Sequence, residues 1–184
     1  MDKTELTFNV SYRNVKHPRL EFKTGTLLIV LPKDEETPEQ ILEKYRQWIN
    51  KKQETINAAI QQANTKSLNK TRTEKHLKDL VIKIAVTSQA ELKTRINRIF
   101  FRRMKTKWAS HSKNNNLTVN TLLKYLPDDL IEYIIYHEIA HSFERKHNQR
   151  FWTLIERKYP DHNNKEKDLL TYWFIIQKTI QQKR

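Results

Sequence analysis

At 184 residues the chain is long enough to bury a real core, and its 37% hydrophobic and 10% aromatic content argues for a globular rather than a disordered protein. It has no cysteine, which excludes disulfides and thiolate metal sites, so any metal must be held by His, Asp or Glu. The net charge of +14, from 35 Lys and Arg against 21 acids, is spread along the whole chain; it suits a polyanionic partner such as nucleic acid or nucleotides, and equally a set of solvated charged faces. The opening MDKTELTFNV lacks the apolar core of a signal peptide, and no apolar run approaches the roughly 20 residues that span a bilayer. These features lead to the expectation of a cytoplasmic protein with no membrane partner.

In chain order, residues 7–31 alternate apolar and polar side chains, and Gly25, the single glycine, sits in KTGT between the runs, where a turn needs a residue tolerant of positive φ. The pattern predicts a β-hairpin stopped by Pro32. A helix follows from Thr37, with Pro38 in its first turn and Ile41, Leu42, Tyr45, Trp48, Ile49 and Ile56 at helical spacing. Residues 63–73 read as a polar loop, the best candidate for a mobile segment and too short to separate two domains. A second helix is predicted over roughly 74–96. NRIFFRR and NNLTVN then read as strands around the loop MKTKWASHSKN. Three further helices are predicted: one opening at Pro127 with Asp128 and Asp129 near its positive end, one capped by Asn148, and one over DLLTYWFIIQKTIQQ. The apolar LLTYWFII of the last one suits core packing or an oligomer interface. No internal repeat is visible.

The stretch YIIYHEIAHSFERKHNQRFW carries the chemistry. His137 and His141 lie one helical turn apart and about 40° around the axis, so both imidazoles can reach one ion. Glu138 points about 100° to the side, placed to act as general base on water at the metal. His147 comes six residues after His141, on the far side of a continued helix. It can join the same ion only if the helix ends first, and the capping Asn148 predicts such an end, with a sharp turn after about Glu144. Three histidines and an open position define a catalytic zinc site, although another divalent metal fits the same donors. His17 reads as a turn residue, His76 and His162 as solvated, and His111 as structural or facing substrate.

Residues 133–152 resemble the YgjP-like metal-dependent hydrolases, once called a domain of unknown function and related to the SprT and WLM metallopeptidases. The resemblance rests on Trp108-Ala109-Ser110-His111, Asn116–Asn120, Pro127, Tyr133–His141 and Lys146–Trp152, and it extends over nearly the whole chain. Ala109 and His111 stand where that family carries glycine and cysteine, which bears on substrate preference. The histidine spacing is also that of metzincin peptidases, but their glycine position is Glu144 here and no methionine turn is visible. The resemblance implies an α+β, zincin-like fold: a single domain over 1–184, with an N-terminal β-hairpin region (1–35), a small antiparallel sheet, and a metal-site core over 97–160 built on the HExxH helix. It implies a zinc-activated water with Glu138 as base.

Three functions then compete. A metallopeptidase needs a strand edge to align its peptide, and NLTVN is the candidate. A nucleoside triphosphate pyrophosphatase or phosphohydrolase would use Arg102, Arg103, Lys105 and Lys107 on phosphates and Trp108 on the base, without a glycine-rich phosphate loop. A nucleic-acid-associated protease of SprT type would use the basic surface. The candidate substrate residues are Arg103, Lys105, Trp108 and His111, with peptide, protein or nucleotide as substrate. The sequence leaves oligomeric state open.

Overall fold

A computed structural model describes residues 8–23, 26–33 and 37–181 of the chain. By contact, the chain divides into two compact units, residues 1–62 and 63–184.

The first unit holds strands β1 (Phe8–Tyr12), β2 (Arg19–Lys23) and β3 (Thr26–Leu31), followed by helices α1 (Pro38–Lys44) and α2 (Arg46–Gln62). The apolar TLLIVL makes β3 the central strand, in the order β1-β3-β2. A strand flanked on both sides and covered on its faces can be apolar almost throughout. β2 pairs antiparallel to β3, and β1 lies parallel to it on the other side. The sequence reading of a two-stranded hairpin thus lacks this third, parallel strand, whose pairing is non-local. Gly25 lies outside the described residues. Leu27, Ile29 and Leu31 pack with Ile41 and Ile49 in a small core. Thr37 caps α1 reciprocally with Gln40, as a capping box. The predicted single helix is broken at Tyr45, where the backbone leaves helical geometry (φ −108°, ψ 15°) before α2 begins.

The second unit opens with a segment tied to later elements at several points. The amide of Asn69 donates to the carbonyl of Tyr125 at 2.9 Å. Lys66 pairs with Asp168 at 2.6 Å. Arg72 donates to the carbonyls of Lys124 and Leu126 at 3.2 and 2.6 Å and also pairs with Asp128. Helix α3 (Glu74–Glu91) follows, capped by Thr73. It ends at Leu92 with Lys93 left-handed (φ 48°) and the Thr94 amide reaching back to Gln89 at 3.1 Å, a closure usually built on glycine.

Strands β4 (Arg98–Arg102), β5 (Ala109–His111) and β6 (Asn116–Asn120) form a second sheet in the order β4-β6-β5. Two expectations change here. The sheet is mixed rather than antiparallel, because β5 intervenes as the antiparallel neighbour of β6 and β4 runs parallel to β6. And NLTVN, which is β6, cannot be the aligning edge, because both of its sides are already paired. Asn120 is fully buried and pins the chain entering β5. Its side chain donates to the carbonyls of Met104 and Lys107 at 3.0 and 2.7 Å and accepts from the amides of Met104 and Leu122.

Helix α4 (Asp128–Ala140) is the centre of the unit. Leu130, Ile131, Tyr133, Ile134, Ile135, Tyr136, Ile139 and Ala140 are buried around most of its circumference, so it is packed on several sides rather than along one stripe. Helices α5 (Gln149–Lys158) and α6 (His162–Gln181) complete the unit, and Ile155, Leu169, Tyr172 and Ile176 join its core. The apolar face of α6 is thus spent largely on core packing. Among the described residues no helix is long and apolar enough to cross a membrane.

Candidate metal centre

The chain leaves helical geometry where His147 requires it. α4 ends at Ala140, and the amides of Ser142 and Phe143 turn back to Ile139 and Ala140 at 2.9 and 3.0 Å, tightening the last turn. Glu144 holds the reversal that follows. Its carboxylate accepts from the side chain of Asn148, from the amide of Lys146 at 3.2 Å and from that of Arg145, which together hold it below the usual carboxylate range. Asn148 caps α5 by accepting from the Phe151 amide at 3.1 Å. This loop returns His147 to the face that carries His137 and His141.

The three imidazoles converge. Nε2 of His147 lies 3.0 Å from Nε2 of His137 and 3.0 Å from Nε2 of His141, and one ring nitrogen from each falls within 4.8 Å of the others. Phe151, wholly buried, forms the floor: its ring stacks on His141 (4.6 Å, 20°) and meets His137 and His147 at 4.9 and 4.7 Å. Trp152 packs against His147 at 5.4 Å and stacks on His162 at 4.9 Å.

The donor chemistry fits a cation. A neutral imidazole has one N–H and one lone pair. Nδ1 of His141 faces the carbonyl oxygen of Glu144 at 2.9 Å, which can only accept, so the proton sits on Nδ1 and the Nε2 lone pair faces the cluster. Nδ1 of His137 is buried without a hydrogen bond, 3.8 Å from Oε1 of Glu166; a proton there leaves the second lone pair facing inward. A single N–H on Nε2 of His147 can serve one of these lone pairs well but not both, whereas a divalent ion takes a lone pair from each ring. Burial favours the neutral, ligating forms. It holds His137 at about 3, with the neighbouring His147 and His141 adding to the effect, and it also lowers His141 and His147.

Glu138 sits beside this cluster. Burial pushes its carboxyl up to about 7, while the His111 backbone N–H bonded to it and the charge of Lys107 pull the other way. That hydrogen bond ties α4 to β5. The amide of Asn120 donates to the carbonyl of Trp108 and that of Ser112 to the carbonyl of Asn116, so antiparallel alternation turns the backbone groups of Ala109 and His111 away from β6, to the open side of the sheet. The free edge beside Glu138 is therefore β5, a strand the sequence reading took for loop.

A cavity of about 640 Å³ opens over these groups. Residues Lys107–Lys113 form one wall, and Glu138, His137, His141, His147, Arg145 and Glu166 are among the others lining it. Of the expected substrate residues, Trp108 and His111 line the cavity, with Trp108 edge-on to Trp173 at 4.8 Å. Arg103 and Lys105 are exposed and do not line it. Burial, then the charges of His141 and Arg145, lower His111. His162 is buried rather than solvated, its ring covered by Trp152. Reading the sequence also missed Glu144 as the organiser of the reversal and Glu166, which accepts from the Tyr133 hydroxyl at 2.6 Å; no motif marks either.

Comparison with known proteins agrees with the class of this site. The YgjP-like, metallopeptidase domain family matches residues 57–172, more than half of the chain, and the chain belongs to that family. It is thus a metal-dependent, peptidase-like hydrolase in class. Two solved structures are similar. The metallopeptidase zymogen abylysin of Pyrococcus abyssi is 24% identical, with 47% of this chain and 87% of that chain covered and a TM-score of 0.42. The zymogen jannalysin of Methanocaldococcus jannaschii is 27% identical, with 61% and 96% covered and a TM-score of 0.42. A comparison with curated proteins finds no match.

Proposed function

We propose that this chain is a zinc peptidase of zincin-like fold in which His137, His141 and His147 hold the ion and Glu138 is the general base. The convergence of three ring nitrogens beside a half-buried carboxylate is the observation that carries the reading. Zinc, when bound, supplies a Lewis acid that polarises an amide carbonyl and acidifies water.

The protein's own groups do the rest. Glu138, held near neutrality by burial, accepts a proton from attacking water and passes it to the leaving amine. The His111 amide fixes the carboxylate while its proton is exchanged. Phe151 and Trp152 hold the ligand rings in place. β5 offers the outward N–H and carbonyl of Ala109 and the outward carbonyl of His111 to an extended peptide, giving alignment by main-chain hydrogen bonds while the His111 amide stays on Glu138.

The nucleotide reading draws less support, because Arg102, Arg103 and Lys105 do not line the cavity and only Lys107 of that group does. The test is a kinetic comparison of metal-loaded wild type with Glu138→Gln on a peptide panel. The proposal expects kcat to fall by about 10²–10⁴-fold with metal content retained. An unchanged kcat would remove Glu138 from its role.

A further inference from the structure

The charge of this protein is not evenly distributed around its cavity. Residues 92–127 contain Lys93, Arg95, Arg98, Arg102, Arg103, Lys105, Lys107, Lys113 and Lys124 and not one Asp or Glu; all 21 acids lie elsewhere. This stretch includes the whole second sheet and the wall formed by residues 107–113. That wall begins and ends in lysine. Across the cavity Arg145 adds a third cation. Lys107, Lys113 and Arg145 are all exposed, and among the described residues none forms an ion pair, in contrast to Lys66, Lys158 and Lys165 elsewhere in the same unit. The acids on the cavity wall are Glu138, half-buried, and Glu166, engaged with Tyr133.

We infer that the cleft selects acidic peptides, with Lys107, Lys113 and Arg145 as the residues that read the negative side chains. This rests on the peptidase reading above and names its substrate class. The geometry gives the register. The His111 amide meets Glu138, so bond cleavage belongs beside His111. Lys113 lies two residues beyond it and Lys107 four residues before it. Lys113, in the turn after β5, and Lys107, in the segment before it, flank His111 on opposite sides, so acidic side chains on either side of the cleaved bond fall toward one or the other. The buried side chain of Asn120 fixes the carbonyl of Lys107 at 2.7 Å and so places that cation. A peptide is favoured over a nucleic acid strand because the free edge of β5 offers main-chain groups with the spacing of another β-strand.

The experiment uses metal-loaded full-length protein and fluorogenic peptides that differ only by Asp→Asn and Glu→Gln at the flanking positions. The expected result is a kcat/KM advantage of about tenfold or more for the acidic member, shrinking as salt is raised, because the cations are exposed and screened. Anisotropy of the same peptides on Glu138→Gln protein should show the preference in binding. In the double variant Lys107→Glu, Lys113→Glu the acidic-to-neutral ratio should invert. Equal kcat/KM for acidic and neutral members overturns the inference and leaves the peptidase reading standing. Cleavage of no peptide by zinc-bound protein overturns both. Flat peptide selectivity together with binding of a single-stranded oligonucleotide that the double variant loses overturns the inference in favour of nucleic acid.

Discussion

The two sheets of this protein are topological twins. In each, the first strand runs parallel to the third, the second pairs antiparallel to it, and the third is central: β1-β3-β2 and β4-β6-β5. In each the central strand carries the most buried residues. Among the described residues only the second lies in the unit that gathers three histidines. The first sheet shares its core with Ile41 of α1 and Ile49 of α2, helices that carry no histidine. The second has α4 against its edge strand β5, and α4 brings a carboxylate to the one backbone amide of β5 that meets it. The twins show that strand order does not make a site. A buried helix, its abrupt end and an edge strand whose outer side is not paired with another described strand distinguish the second unit.

Five perturbations break or sharpen the contrast. The largest effect is expected from His141→Ala, which should cut zinc affinity by on the order of a thousandfold or more, since each ligand carries a share of a binding free energy of about 10–16 kcal/mol in comparable sites; competition with a fluorescent chelator measures it. Next, Phe151→Ala should cost about 3–5 kcal/mol of stability and weaken zinc binding as well. The matched change in the first sheet, Leu27→Ala, should cost about 2–5 kcal/mol in denaturant unfolding and leave metal stoichiometry alone.

A smaller effect is expected from Glu144→Ala. The reversal would lose its acceptor for the Lys146 amide and the Asn148 side chain, and zinc affinity should fall about 10–100-fold with the fold intact by circular dichroism. The smallest is a pH effect on metal-free protein. His137 titrates at about 3 when folded and near 6.5 when unfolded, so between these values the unfolded chain binds the extra proton. Its contribution to stability is therefore fully present above about 6.5 and declines as pH falls toward about 3. Urea midpoints across that range should show the decline, and His137→Gln should flatten it.

Much of the second unit was legible because its signals are local. The HExxH spacing, the cap at Asn148 and the acids opening α4 each act within a turn or two of helix, and the structure brings His147 to the other two histidines as that spacing required. What was not legible depends on partners distant in sequence. β5 has three residues in a polar stretch, and only its pairing with β6 and the pin at Asn120 make it a strand. His162 sits in HNNKEK, which reads as solvated, and is buried because Trp152 of α5 covers it. β1 pairs in parallel across an intervening strand, beyond any periodicity rule. The break at Tyr45 interrupts an otherwise continuous helical pattern, and we have no physical account of it.

The central claim is that HEIAH and the reversed His147 form one metal site. Isothermal titration of metal-free protein with zinc, in parallel with His147→Ala, tests it directly. The account predicts a single site per chain in the wild type and a binding constant lower by at least about 10²-fold in the variant. No zinc uptake by the wild type, or an affinity unchanged by His147→Ala, would contradict it.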